Sequence, residues 1–194
     1  MKSRHYRQVA RAQAAAETRH RIIDAAEALF ARMRWEELTL EAVAETARVT
    51  RQTVLRLFGS KEGLLSRAAE EKLPRIAAER EAAGDLERAL DALTASYERI
   101  GRVNWHMLLE EDRSPAMGRL LNQARALHRR WLERQFAVHL ARERRRRVEL
   151  LFAATDFYTF KLYRRDLGMS RAQTRRRMGE LVGTLLGSFA KEGT

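Results

Sequence analysis

"ETARVTRQTVLRLFGSKEGLL", residues 45–65, reads as the end of one short helix, a tight break, a second short helix and the start of a third. Thr50 is a capping residue ahead of a helical run. Val54 and Phe58 stand four apart, on one face of that run. Arg51, Gln52, Leu55 and Arg56 therefore point away from the face that Val54 and Phe58 bury. Gly59 suits a left-handed stop, and Ser60 caps the next helix. A short helix that hides two residues and shows a polar N-terminal end is built to touch something else.

Working outward, helix signals continue in both directions. Residues 1–16 carry Lys2, Arg4, Arg7 and Arg11 and no acid, and read as a mobile basic arm. From Thr18, Ile22, Ala26, Leu29, Phe30 and Met33 recur at three- and four-residue steps and give an apolar face. Thr39 caps a second helix whose inner face is Leu40, Val43, Ala44 and Ala47. Downstream, a helix from Ser60 to about Ala83 is predicted, kinked at Pro74. Gly84 and Asp85 supply a stop and a cap for a helix to about Ile100. A short helix near Val103–Glu111 follows. Ser114-Pro115 opens another, reaching about Ala141. A helix from about Arg146 to Leu167 ends at Gly168, and Ser170 with Gln173 forms a capping box for the last, to about Ala190. About nine helices result. The chain is expected to be all-α, with an arm (1–16), an N-terminal unit (17–60) and a C-terminal unit (61–194).

Composition agrees. The chain has 194 residues, of which 45% are hydrophobic and 33% charged, with two prolines and no cysteine. Disulfides and thiolate-bound metal are excluded. No apolar run reaches the ~18 residues of a membrane span, and no signal-peptide core is visible; a soluble cytoplasmic protein is expected. The formal net charge of +12 suits a polyanionic partner. His128 and His139 lie about three helical turns apart, too far to share a metal. No nucleophile elbow, phosphate loop or metal triad is present. Neither enzyme chemistry, a metal nor a cofactor is expected. The arginine run at 142–147 reads as a solvated helix junction, and Arg175–Arg177 as packed stems with heads in water.

Two short helices crossing at a tight turn form a helix-turn-helix, in which the N-terminal end of the second helix meets base edges in the major groove. Arg pairs well with guanine and Gln with adenine, and an apolar Leu55 suits a thymine methyl. Lys61, opening the next helix, is placed for a phosphate. The stretch "TRHRIIDAAEALFARMRWEELTLEAVAETARVTRQTVLRLFGSKEGLL", residues 18–65, closely resembles the DNA-binding region of the TetR family of bacterial transcriptional regulators. The resemblance rests on "RIIDAAEALF", "VAETARV", "T-x-x-T-V" and "F-x-S-K-E-x-L". It implies operator contacts from Thr39, Arg48, Thr50, Arg51, Gln52, Thr53, Leu55, Arg56 and Lys61. The family usually has Gly where Arg48 stands, at a position that often needs positive φ. It often has Tyr at Leu55 and His or Tyr at Leu57 as phosphate anchors; those two hydrogen bonds are missing here.

In the C-terminal part, Gly179, Gly183 and Gly187 repeat every four residues and allow close approach of another backbone. The last helix is apolar nearly all round, which calls for burial on more than one side. "ATDFYTFKLYRRDLGMS", residues 154–170, looks like the penultimate helix of many TetR-family members. The resemblance implies a homodimer joined by the last two helices of each subunit, through Phe157, Phe160, Arg164, Gly179, Val182, Gly183, Leu186 and Gly187. It also implies a small-molecule effector, with Trp105, His106, Asn122, His128, Trp131, Phe152, Thr155 and Tyr158 as candidate lining. The expected function is a DNA-binding regulator, a repressor whose operator binding an effector modulates. Two other readings stay open at this point: a helical protein binding nucleic acid or phosphate without sequence preference, and a regulator-like fold acting as a small-molecule carrier or enzyme.

Overall fold

In the computed structural model, residues 2–81 and 85–192 are described. All regular structure among them is helical. In chain order the helices are α1 (Lys2–Phe30), α2 (Leu40–Thr46), α3 (Arg51–Phe58), α4 (Lys61–Glu81), α5 (Leu86–Leu109), α6 (Pro115–Gln135), α7 (Arg144–Thr155), α8 (Phe157–Lys161) and α9 (Arg171–Lys191). A 3₁₀ turn at Ala137–His139 follows α6, and a π-helical turn at Leu162–Asp166 follows α8. The chain divides into two compact units, one of residues 1–71 and 105–118, the other of 72–104 and 119–194. The N-terminal unit thus extends past the boundary expected near residue 60.

Several expectations are corrected. The basic segment is no separate arm: α1 starts at Lys2. Its alanine-rich stretch, Ala10–Ala16, favours helix strongly. Helix α5 continues through Gly101, where the Phe157 ring lies 3.5 Å from the position a Cβ would take. Close packing, not chain reversal, explains that glycine. Helix α6 ends at Gln135, short of Ala141. The helix expected from Arg146 to Leu167 breaks at Asp156, whose extended backbone lets its carboxylate accept from the Tyr158 N–H at 2.9 Å. Asp85 does cap its helix, accepting from the Arg88 N–H at 2.8 Å; Gly84 lies outside the described residues. Gly59 and Gly168 hold the positive φ expected of helix stops, and the Ser170–Gln173 capping box forms.

In the N-terminal unit, Ile22, Ile23, Ala26 and Phe30 of α1 are buried together with Val43, Ala47, Val54, Phe58 and Leu64. Phe30 meets Trp35 edge-on at 5.9 Å, fixing the loop after α1. In the C-terminal unit, Leu90, Leu93 and Tyr97 of α5 are buried, as are Leu151, Phe157, Phe160, Met178, Val182 and Phe189. The arginine run is only partly solvated. Arg147 is buried and donates to the carbonyls of His139 (2.8 Å) and Phe189 (3.2 Å) and to Glu192 (3.1 Å). It ties the end of α9 to the start of α7. Arg175 and Arg177 instead pair with Glu87 and Glu180.

Candidate nucleic-acid interface

The turn between α2 and α3 sets the direction of α3. The Arg48 N–H donates to Glu45 O at 3.0 Å and the Val49 N–H to Ala44 O at 2.9 Å, while Arg48 holds φ +55°. This is a Schellman stop with arginine in the left-handed position that glycine usually fills. Thr50 then caps α3, accepting from the Thr53 N–H at 3.2 Å, and the two hydroxyls lie 2.9 Å apart. Gly59, at φ +76°, ends α3 after eight residues. Beyond it, a Cβ on Gly63 would lie 2.0 Å from the Phe58 carbonyl oxygen, so only glycine fits there.

With its ends fixed, α3 buries Val54 and Phe58 and exposes Thr50, Arg51, Gln52 and Arg56. Thr53, Leu55 and Leu57 are half-buried. The exposed row is where base-reading side chains of such a helix lie. Thr39, exposed, caps α2 by accepting from the Ala42 N–H at 3.1 Å. Arg48, on the turn after α2, is exposed as well. Sequence reasoning missed one neighbour: Glu41 on α2 forms an ion pair with Arg51.

Lys61 departs from expectation. Its ammonium donates to the Trp35 carbonyl at 2.6 Å and sits 4.3 Å from the centre of the Trp35 ring. It is half-buried and staples the loop after α1 to the start of α4, rather than standing free for a phosphate.

The residues expected around an effector separate into groups. Trp105 and His106 belong to the N-terminal unit, where His106 meets Phe30 at 5.9 Å. Asn122 and Tyr158 are exposed. His128, Trp131, Phe152 and Thr155 do come together in the C-terminal unit. His128 stacks on Trp131 at 5.3 Å, meets Phe152 edge-on at 4.9 Å, and places Nε2 2.9 Å from Thr155 Oγ1. Burial first, and the Arg80 charge second, push the His128 pKa down to about 3. Tyr97 joins the cluster by donating to the Thr155 carbonyl at 3.1 Å; burial pushes its phenol up. Arg80 had no signal in the sequence, being one arginine among many. A separate open groove of about 570 Å³, lined by Leu86, Leu90, Gln173, Arg176 and Gly179, includes none of the expected lining residues. Among the described residues, no group of three or more His, Asp or Glu could hold a metal ion.

The expected interface residues also separate. Phe157, Phe160 and Val182 are buried within the subunit, and a Cβ on Gly179 would meet Leu90 Cδ1 at 3.3 Å. These four serve the subunit's own core. Arg164 pairs with Glu98. Leu186 is half-buried, and Gly183 and Gly187 face open space, with nothing within 4 Å of an added Cβ.

Residues 22–68 match the bacterial regulatory proteins of the tetR family. No curated protein matches the chain. Among solved structures, a transcriptional regulator from Rhodococcus sp. Rha1 is 18% identical, with a TM-score of 0.72 over 88% of this chain and 96% of that one. A tetR-family transcriptional regulator from Streptomyces coelicolor is 17% identical, with a TM-score of 0.67 over 90% and 89%. The fatty acid degradation regulator FadR from Bacillus halodurans is 17% identical, with a TM-score of 0.68 over 87% and 97%. At these identities the structures show a shared fold. The matched segment spans the helix-turn-helix of α2 and α3. The chain thus carries a DNA-binding region of the tetR type within a helical fold that it shares with transcriptional regulators of known structure.

Proposed function

We propose that the protein is a homodimeric repressor that binds operator DNA and is released by a small effector held in the C-terminal unit. The observation that carries the DNA-binding part is the exposed row Thr50, Arg51, Gln52 and Arg56 on α3, whose direction the Arg48 turn and the Gly59 stop fix. Arg51 and Gln52 read bases; Thr39, Arg48, Thr50 and Thr53 anchor the backbone. Leu55 packs against the groove floor. The missing aromatic anchors at Leu55 and Leu57 shift more of the phosphate contact to the turn and to basic α1.

Two copies are needed to read two half-sites. The α9 face bearing Gly183 and Gly187 is left open by the subunit, Leu181 is exposed on another side of the same helix, and α8 and its following turn leave Tyr158 and Leu162 exposed. These form the dimer contact. An effector acts through its different affinities for the DNA-competent and DNA-incompetent states, which differ in the separation of the two recognition helices. The protein works by binding, not turnover, in the cytoplasm, where operator DNA is. Among the described residues, no helix is long and apolar enough to cross a membrane.

A random-site DNA selection with the purified full chain tests this reading. A two-fold-symmetric preferred sequence is expected. Enrichment of no sequence over bulk DNA would instead support a phosphate-binding protein without base readout.

A further inference from the structure

Among the described residues, the C-terminal unit buries a cation with no carboxylate in hydrogen-bonding contact. Arg80, on α4, is only 8% exposed. Its Nη2 donates to Ser96 Oγ at 3.3 Å, and its guanidinium lies 5.2 Å from the centre of the Tyr97 ring. Its Nε–H has no acceptor among the described residues. Neither contact supplies a counter-charge, because burial keeps Tyr97 protonated. Glu79, the preceding residue, is paired with Arg75 and Arg99 instead. A buried charge without a counter-charge is costly, and cores normally pair it.

From Arg80 a chain of contacts leads to the aromatic cluster. Tyr97 donates to the Thr155 carbonyl. The Thr155 hydroxyl donates to Leu151 O at 2.7 Å, so it accepts from His128 Nε2–H. The neutral His128 ring then presents Nδ1 as a lone pair, and no donor meets it. Trp131, stacked on His128 and 2% exposed, has an Nε1–H without an acceptor. Among the described residues, three unpaired polar atoms therefore lie along one chain of buried contacts, where cores ordinarily pair such atoms.

We propose that this cluster recognises the carboxylate of a small organic acid with an aromatic or aliphatic body, with Arg80 supplying the counter-charge. The proposal rests on the reading that the C-terminal unit holds an effector, and it names that effector's chemistry. Arg80 Nε–H and Trp131 Nε1–H are donors, as carboxylate oxygens require. His128 Nδ1 accepts from a hydroxyl or amide N–H on the same molecule. Phe152, Trp131 and the His128 ring offer flat walls for an apolar body. A buried water would pair the orphaned atoms equally well, but it would leave the Arg80 charge uncompensated.

Matched pairs of acid and amide test the idea on the full chain: benzoate with benzamide, and octanoate with octanamide. Titration calorimetry should find one acid bound in the micromolar to millimolar range, about tenfold or more tighter than its amide. Arg80→Gln should bring that ratio close to one. Trp131→Phe, a milder change, should weaken the acid more than the amide. Helical content and binding to the selected operator control for folding. Amides that bind as well as the acids, or acids that all fail to bind at millimolar concentration, overturn the proposal. An uncharged effector that releases the operator equally from wild type and Arg80→Gln does the same while leaving the regulator reading intact. An acid that binds through Arg80 without changing operator occupancy supports the site and overturns the effector reading.

Discussion

The Lys61 ammonium lies 2.6 Å from the Trp35 carbonyl oxygen and 4.3 Å from the centre of the Trp35 indole ring. A charge-assisted hydrogen bond and a cation–π contact thus act on one amine, both inside the N-terminal unit. Lys61→Met keeps the packed stem and removes the charge. It should cost about 1–3 kcal/mol in denaturant unfolding. It should leave the salt dependence of DNA binding unchanged, because the amine is committed to Trp35. A slope lower by about one unit would show that Lys61 leaves Trp35 for a phosphate.

The pair between Arg51 and Glu41 joins a side chain proposed to read bases to the helix before it. Both groups are well exposed, so the pair itself adds at most about 1 kcal/mol to stability. Its effect on DNA is larger, since Glu41 brings a negative charge to the phosphates. Glu41→Gln should tighten binding to all sequences at low salt. Arg51→Ala or Gln52→Ala should cost about 1–3 kcal/mol on the selected site and relax preference at one base position. Electrophoretic titration on the selected site and single-base variants separates the two behaviours. Unchanged base preference in both alanine variants removes them from the reading surface.

Arg48 holds φ +55° in a turn that closes two backbone hydrogen bonds. Left-handed backbone costs a side-chain-bearing residue about 1 kcal/mol, and glycine escapes that strain. Arg48→Gly should therefore stabilise the chain by up to about 1 kcal/mol in urea. It should weaken DNA binding for all sequences alike, because a cation on the turn is lost. Stability that falls would mean the arginine stem packs well enough to offset the strain.

The turn was legible in the sequence because its constraints are local. Thr50, Gly59, Ser170 and Gly168 each act within a few residues, so their types reveal their places. The Asp156 break was equally local, but it sits inside an apolar run whose period hides it. The helix end expected at about Ile100 fails for the opposite reason: Gly101, just after it, answers to a ring from a distant helix, Phe157. The aromatic cluster was partly legible, since His128, Trp131, Phe152 and Thr155 share helical spacing. Arg80 and Tyr97 join it through tertiary contacts that no spacing encodes. The dimer face was overdrawn for the same reason. Phe157, Phe160 and Val182 look apolar from any side, and only packing shows which side is covered.

His128 is buried neutral, its pKa pushed down to about 3 from an ordinary 6.5. The unfolded chain takes up a proton on this ring below about pH 6.5, and the folded chain does not. The contribution is therefore intact above that pH and is lost as pH falls toward 3. Between pH 7.5 and 5 the loss should be about 2 kcal/mol. Urea unfolding of wild type and His128→Gln at both pH values isolates this group from the carboxylates, which titrate alike in both. Equal acid sensitivity in the two proteins would mean that His128 reaches water or protonates in place.

The three glycines of α9 divide by environment. A Cβ on Gly179 meets Leu90 of the same subunit, whereas one on Gly183 or Gly187 meets nothing within 4 Å. In an isolated subunit, Gly183→Ala should stabilise α9 by up to about 1 kcal/mol, since alanine is the better helix former. Gly183→Leu should be tolerated there as well, because the space is open. If α9 packs against its symmetry mate, both substitutions act twice at one contact, and the larger side chain forces the backbones apart. Self-association should then weaken in the order wild type, Gly183→Ala, Gly183→Leu, while helical content stays constant. Cooperative operator binding should fall with it, because one helix-turn-helix covers one half-site. Sedimentation over a concentration series reads this order directly. A wild type that sediments as a monomer at micromolar concentration removes the dimer. Variants that stay dimeric with unchanged affinity move the interface away from this face of α9.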